Sequence, residues 1–460
     1  MTFDSTTSLR LKQFGLLPKY GGRAPRYTSY PTANLFTDAV DEETYAGWLG
    51  ELPGDAAVSL YVHTPFCARL CWYCACNTRV IHRGESISDY VGLVRDEIAL
   101  VEARLPAKLK ATAIHLGGGT PNLLTPDDLT ILFGALRQAF CVALDAEIAA
   151  EIDPAQLTPE WAKAAAFHGL TRASLGVQDL SPEVQAAVNR PEPFEVVQRA
   201  AALLRDVGVA SLNFDLMYGL PRQRTRDVLA TLDRVLTLRP ERLALFGYAH
   251  VPWMKPHQKL ISADDLASEG ERLQQSEAAA ARLADEGYVR IGLDHYALPQ
   301  DALSVALAER NLHRNFQGYT TDGVDTLLGF GVSAISRVTG GFVQNHSVER
   351  DWRAAVRAGR APVARGVDVS DEDRFRGEII ETIMCAFAAD LPAICARYGR
   401  SRTCLDAARP ALRELEQDGV IVLVDGKLSV TPAGRPYVRK VCAVFDAYLE
   451  PAAVRHSAAV

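Results

Sequence analysis

Between residues 56 and 250 six short apolar runs recur: "VSLYVHTPF", "ATAIHLGGGTP", "EIAAEIDP", "RASLGVQD", "SLNFDLMYGLP" and "LALFGYAHVP". Stretches such as Ser88 to Leu105 and Pro193 to Val207 separate them, with apolar residues near helical spacing and charges between. Strand, helix, strand repeated in this way predicts an α/β fold, a parallel sheet with helices outside. Six consecutive units predict a curved sheet, a partial (β/α)6 barrel. Chemistry in such folds gathers where strands end and loops begin. Each run carries its polar or glycine-rich residues at that end: Cys67, Gly117 to Thr120, Glu151, Gln178, Asp215, and Ala249 with His250.

After residue 260 the pattern changes. A helical stretch to about Glu286 leads into "YVRIGLDHYALP", which reads as a seventh strand, and then into the glycine-rich, aromatic "HRNFQGYTTDGVDTLLGFGVSAIS". From about residue 370 helices precede "GVIVLVDGKLSVTPAG", a hairpin turned at Asp425-Gly426. The expected division is an N-terminal extension or lid over 1–55, a catalytic barrel with its extension over 56–365, and a mainly helical C-terminal cap with a small β-hairpin over 366–460. Helix plus hairpin also occurs in winged-helix DNA binders. However, residues 371–460 hold 12 Lys/Arg against 13 Asp/Glu and the chain's net charge is -7, the wrong balance for a phosphate-reading surface. Neither a membrane-spanning run nor an apolar stretch behind a basic start is present, so the expected location is the cytoplasm, with no membrane or nucleic-acid partner.

Four of the nine cysteines, Cys67, Cys71, Cys74 and Cys76, fall within ten residues at the spacing C-x3-C-x2-C-x-C. In a reducing compartment such clustering points to metal ligation or catalysis before disulfides. Zinc is usually held by two separated C-x2-C pairs, whereas here one loop follows one strand. C-x3-C-x2-C lets a single loop reach three corners of an iron-sulfur cube and leaves one iron open. Cys76, one residue beyond Cys74, is poorly placed to reach the opposite corner. A three-cysteine cluster is therefore favoured over zinc, and zinc over disulfides. Cys141, Cys385, Cys395, Cys404 and Cys442 are scattered among apolar neighbours and read as buried thiols.

With Tyr73 just before its third cysteine, on a loop after the first strand of an alternating fold, this motif resembles that of the radical S-adenosylmethionine enzymes. "PRYTSYPT" at 25–32, "HLGGGTPN", "AEIDP", "SLGVQDL", "FDLMYGLP", "YAH", "IGLDHYA" and "HRNFQGYTT" extend the resemblance to the oxygen-independent coproporphyrinogen III oxidase family, from about residue 20 into the C-terminal region. The resemblance implies a barrel of radical SAM type whose Cys67, Cys71 and Cys74 hold a [4Fe-4S] cluster, with S-adenosylmethionine on the fourth iron. It implies that Tyr61, Tyr73, Gly118, Glu151 and Ile335 contact that S-adenosylmethionine, and that Gly119, Thr120, Gln178, Arg190, Asp215 and Ala249 contact a second one. Cys76, "PRYTSYPT" and "NFQGYTT" separate this family from the haem chaperone-like radical SAM proteins, which are the alternative reading, and give Cys76 a catalytic role. The implied reaction converts two propionates of coproporphyrinogen III to vinyl groups. An electron donor such as flavodoxin or ferredoxin, an unnamed acceptor and a monomeric enzyme complete the expectation.

Plainer readings stand beside these. "GGGTP" could be a tight turn, Arg190 a solvated helix-end charge and Asp215 a helix cap, while the histidines are expected to be structural. "PEPFE" after "VNR" departs from the family pattern, in which a glutamine often lies two residues on. Arg26, Arg69 and Arg314 are the arginines within the matching motifs and the candidates for pairing with propionates. "PRYTSYPT" is expected to close over the pocket as a lid.

Overall fold

The computed structural model describes residues 5–81 and 87–449. The outermost parts of the expected N- and C-terminal divisions, residues 1–4 and 450–460, lie outside the described residues. A twelve-stranded sheet organises the chain. Its strands are β1 (Ala57–Thr64), β2 (Lys110–Gly118), β3 (Cys141–Ile152), β4 (Arg172–Gln178), β5 (Ser211–Tyr218), β6 (Arg242–Gly247), β7 (Val289–Ile291), β8 (His295–Ala297), β9 (Thr326–Phe330), β10 (Ile335–Val338), β11 (Gly341–Asn345) and β12 (Val363–Asp368). The spatial order is 12-11-10-9-1-2-3-4-5-6-8-7, with β1 to β6 in chain order and all parallel. This is the expected partial barrel. β9 returns parallel to β1 on its other side, and antiparallel β8 flanks β6.

The parallel strands are buried on both faces, which is why they read as continuous apolar runs rather than alternating ones. Val58, Leu60, Val62, Leu116, Ala150, Leu175, Phe214 and Leu245 share one core with the helices outside. Helix Pro126–Ala139 shows how a connection is fixed: Thr125 and Asp128 cap its first turn reciprocally, and Leu129, Leu132, Phe133 and Leu136 face inward at helical spacing. Ser88–Glu102 and Phe194–Asp206 are helices within a few residues of the predicted ends.

"YVRIGLDHYALP" is not one strand. β7 and β8 pair antiparallel within it, and Gly292 turns between them at φ +54°. Any side chain at Gly292 would collide with the Tyr319 ring, so the turn and the ring that covers it require glycine together. The C-terminal hairpin does form, from Ile421–Val424 and Lys427–Val430, with Asp425 and Gly426 at φ 53° and 83°. Ala388–Asp390 adds a third strand to it.

A second core lies outside the barrel. Tyr20, Tyr27 and Tyr30 of the N-terminal segment pack with Phe375, Ile379, Met384, Leu428, Tyr437 and Val441 of the C-terminal region. Helix Ser5–Tyr20 is tied there by the Tyr437 hydroxyl, which donates to the Gln13 carbonyl at 2.6 Å. Cys385, Cys395 and Cys442 are buried as expected, and Cys404 is partly so. Cys141 is exposed, because it opens β3 at the end of the sheet away from the strand tips. No described helix is long and apolar enough to cross a membrane.

Candidate active site

Parallel register carries side chains from distant motifs to one rim. Tyr61 of β1 lies opposite His115 of β2 and Gly329 of β9, Glu151 opposite Ser174, Gly176 opposite Asp215, and Tyr218 opposite Gly247. The cysteine loop leaves β1 at this rim. Its base is closed by a parallel pair, Phe66–Cys67 with Arg79–Val80, in which the Ile81 amide donates to the Cys67 carbonyl at 3.0 Å.

The rest of the loop is held by its backbone. Trp72 N–H donates to the Val188 carbonyl, Asn189 Nδ2 to the Leu70 carbonyl, Gln258 Nε2 to Tyr73, His257 Nε2 to Cys74 and Lys255 Nζ to Cys76, all at 2.8–3.0 Å. His257, Gln258 and Lys255 come from the segment after β6 and carry no motif that a reading of the sequence could have singled out. Cys74 is pulled down to about 6, chiefly because Cys76 donates to it, whereas Cys76 is pushed well above the ordinary thiol value by that same bond and by burial. Cys76 is exposed. Burial raises Cys67 to about 11.

Behind Cys71 lies a network of charges. Arg190 donates from Nη1 toward Cys71 Sγ at 3.6 Å and from Nη2 to the Gly176 carbonyl at 2.6 Å, and it sits 3.6 and 3.5 Å from Asp153 and Glu192. It is buried, which rules out a solvated helix-end charge. Arg69 pairs with Glu192 at 2.9 Å and Asp153 at 3.6 Å, beneath the cysteine loop. Its two terminal nitrogens are thus engaged by Glu192 and the Pro191 carbonyl, which leaves the fork expected to meet propionates already paired, while Nε is buried with no hydrogen-bond partner. Glu192 belongs to the divergent "PEPFE" segment and completes this network; burial pushes its carboxyl up to about 7.

Tyr61, His63, His115 and Glu151 form the floor. His63 Nε2 donates to the Asn77 carbonyl at 2.9 Å, leaving Nδ1 to accept from the Tyr61 hydroxyl at 3.0 Å. Burial holds His63 below the usual histidine range, so the ring is neutral. Burial pushes Glu151 upward, but His115 and the Gly118 amide, 2.9 Å from Oε2, outweigh it and keep the carboxylate ionised. Gly118 has φ +108°, and a Cβ there would stand 2.5 Å from the His63 ring; at Gly119 it would stand 2.5 Å from the Phe66 carbonyl oxygen. The amides of Gly119 and Thr120 donate to Thr64 and Phe66 at 2.7 Å. "GGGTP" therefore forms a tight turn in which the Gly118 amide serves Glu151 and those of Gly119 and Thr120 serve β1 and its loop, and Thr120 also bonds the Cys67 thiol.

Asp215 lies within β5 and accepts from Ser174 Oγ at 2.7 Å and Asn213 Nδ2 at 2.8 Å, which replaces the helix-cap reading; burial raises its carboxyl. Gln178 ends β4 at φ +65°. The Ala249 carbonyl accepts from Gln258 Nε2 at 3.2 Å, linking it to the Tyr73 turn. Ile335 begins β10 beside Gly329 and so lies two strands from Tyr61.

Among the described residues no three histidine, cysteine or acidic side chains converge tightly enough for a single metal ion. Cys67, Cys71 and Cys74 share one loop and Cys74 is already thiolate-prone, which fits the ligand chemistry of an iron-sulfur cluster.

Residues 61–235 match the Radical SAM superfamily and residues 369–437 match the HemN C-terminal domain. An oxygen-independent coproporphyrinogen III oxidase of Bradyrhizobium diazoefficiens is 47% identical over 438 residues, 95% of this chain and 97% of the relative. The chain belongs to the oxygen-independent coproporphyrinogen III oxidase family. A Synechocystis member is 37% identical, covering 97% of both chains. The Escherichia coli member of the family, coproporphyrinogen III oxidase (HemN), described as a radical SAM enzyme, superposes with a TM-score of 0.88 at 35% identity over 92% of this chain and 98% of that one. Family membership brings a [4Fe-4S] cluster and S-adenosylmethionine with it.

Proposed function

We propose that the protein converts two propionate side chains of coproporphyrinogen III to vinyl groups, without oxygen, in haem biosynthesis. The observation that carries this reading is the end-to-end similarity to a named coproporphyrinogen III oxidase, 47% identical over 95% of the chain. Each conversion removes a hydrogen atom, an electron and carbon dioxide from one propionate.

Cys67, Cys71 and Cys74 would hold the cluster. When bound, the cluster and S-adenosylmethionine supply a 5'-deoxyadenosyl radical able to take a hydrogen from the substrate. The chain's own part is to bind, orient and exclude water. Tyr61, Tyr73, Gly118, Glu151 and Ile335 line one S-adenosylmethionine site, where the ionised Glu151 can accept from ribose hydroxyls or an ammonium group. Gly119, Thr120, Gln178, Arg190, Asp215 and Ala249 line a second, and Arg190 supplies a cation toward a methionine carboxylate. The Cys76 thiol, outside the ligand set, acts on substrate. Residues 1–55 and 366–460 cover the barrel of 56–365 as lid and cap. The enzyme works as a monomer in the cytoplasm with a flavodoxin or ferredoxin as electron donor and a separate final acceptor.

The test is anaerobic reconstitution with iron and sulfide, followed by assay with coproporphyrinogen III and S-adenosylmethionine. Formation of the divinyl product is expected. Deoxyadenosine without vinyl product would overturn the reading, and haem binding without turnover would favour a chaperone.

A further inference from the structure

The segment that follows β6 holds the cysteine loop and also meets solvent. Lys255 Nζ donates to the Cys76 carbonyl at 2.9 Å, His257 Nε2 to Cys74 at 2.8 Å and Gln258 Nε2 to Tyr73 at 3.0 Å. The segment is itself fixed, because Gln258 Oε1 accepts from the Val251 amide at 2.6 Å and its Nε2 reaches the Ala249 carbonyl at 3.2 Å. Val251, Gln258 and Ile261 are buried, yet between them Trp253 is 40% exposed, Met254 65% and Leu260 59%. The guanidinium of Arg23, from the N-terminal segment, lies 5.2 Å from the Trp253 ring centroid. Large apolar side chains left in water on an anchored segment mark an interaction surface. Trp, Met and Arg are the residue types enriched at such surfaces.

Charge says what kind of partner fits. The chain carries a net charge of -7, so as a whole it repels an acidic protein. This segment is an exception: between Glu241 and Asp264 there is no Asp or Glu, while Lys255 and Lys259 lie within it and Arg23 lies against it. Lys259 and Arg23 are exposed and Lys255 is partly so. The cysteine loop belongs to a second stretch without carboxylates, between Asp55 and Glu85. Asp264 and Asp265 end the first stretch, and Asp265 pairs with Arg222 at 3.1 Å. Apolar and cationic side chains are thus joined on one segment, and His257 of that segment, partly exposed, is one hydrogen bond from the backbone of Cys74.

We propose that residues 253–260, with Arg23, form the docking surface for an acidic protein that carries single electrons to the cluster. This rests on the function proposed above, which needs an outside electron, and adds where the donor binds. The step moves one electron and breaks no bond: the reduced carrier is oxidised by one electron and the [4Fe-4S] cluster is reduced by one. Carboxylates of the carrier meet Lys255, Lys259 and Arg23, and its apolar surface meets Met254 and Leu260. Electron-transfer encounters bury little area and are short-lived, so one short segment suffices. Opposite charge brings such partners together faster and fixes how they face each other.

The test uses the anaerobically reconstituted full chain without tetrapyrrole, with an acidic flavodoxin and an acidic ferredoxin as separate probes. Wild type is expected to bind at least one of them, more weakly as salt screens the charges. K259E and M254E should each raise that Kd about fivefold or more, and should slow bleaching of the cluster's visible absorbance by the reduced carrier in parallel. Both positions are exposed, and retained cluster absorbance checks that the variants fold. Bleaching by dithionite, a small reductant that needs no docking surface, should change by less than about twofold. K110E, exposed beside Cys141 at the opposite end of the sheet, should change nothing. The assignment is overturned if wild type binds neither probe, if K259E and M254E bind as wild type does, if K110E is as damaging, or if dithionite is slowed as much as the carrier. No tetrapyrrole enters these measurements, so failure to form vinyl product sinks the decarboxylase reading and leaves the docking surface standing.

Discussion

Two buried carboxylates of the barrel, Glu192 behind Cys71 and Glu97 on helix Ser88–Glu102, are satisfied in different ways. Arg190 and Arg69 share Glu192 and Asp153, although Nε of each arginine and Oε1 of Glu192 are buried with no hydrogen-bond partner. Glu97 is instead held by neutral donors, the Gly331 amide, Asn345 Nδ2 and Trp352 Nε1. The first site is tied together by opposite charges and the second by hydrogen bonds, so the two should respond differently when a partner is removed.

The largest effect is expected in front of the first site, at the thiols. Replacing Cys67, Cys71 or Cys74 by alanine is expected to abolish the cluster's visible absorbance and all activity, whereas Cys76→Ala keeps the absorbance and loses vinyl product. Loss of the cluster in Cys76→Ala would overturn the three-ligand assignment. Next in size, Arg190→Ala leaves Glu192 and Asp153 short of a buried partner and should cost about 3–5 kcal/mol in denaturant unfolding.

Glu97 gives the neutral-donor side of the comparison. Glu97→Ala strands three buried donors and should cost about 3 kcal/mol or more. The smallest effect is one of pH. Burial raises Glu97 to about 7, above its ordinary 4.5. The folded chain therefore binds more protons than the unfolded chain between those values, and this group's stabilising contribution falls as pH rises through that window. Subtracting the unfolding free energies of Glu97→Gln from those of wild type should give a slope of at most about 1.4 kcal/mol per pH unit between 4.5 and 7, and none below.

What could be read from the sequence was what local pattern controls. Continuous apolar runs between helical periods announced the parallel strands, and the cysteine spacing announced a loop fit for a cluster. The internal closure of "GGGTP" was less visible, because the partners of Gly119 and Thr120 are backbone groups of another segment. Gly292 hid a turn inside what looked like a strand, since the ring that demands glycine there comes from Tyr319. Arg69 reads in the sequence as a candidate for propionates, and its partners Asp153 and Glu192 meet it only through the fold.

The joint packing of the two chain ends also sets an order of assembly. On the ribosome the strands from Ala57 to Gly247 and the cysteine loop emerge long before Tyr437 can reach Gln13 or Arg439 can reach Ala24. The barrel and its thiol loop can take shape while synthesis continues. The second core closes only when helix Val438–Ala443 arrives, so a chain truncated near residue 430 would carry an intact thiol loop and an N-terminal segment with nothing to pack against.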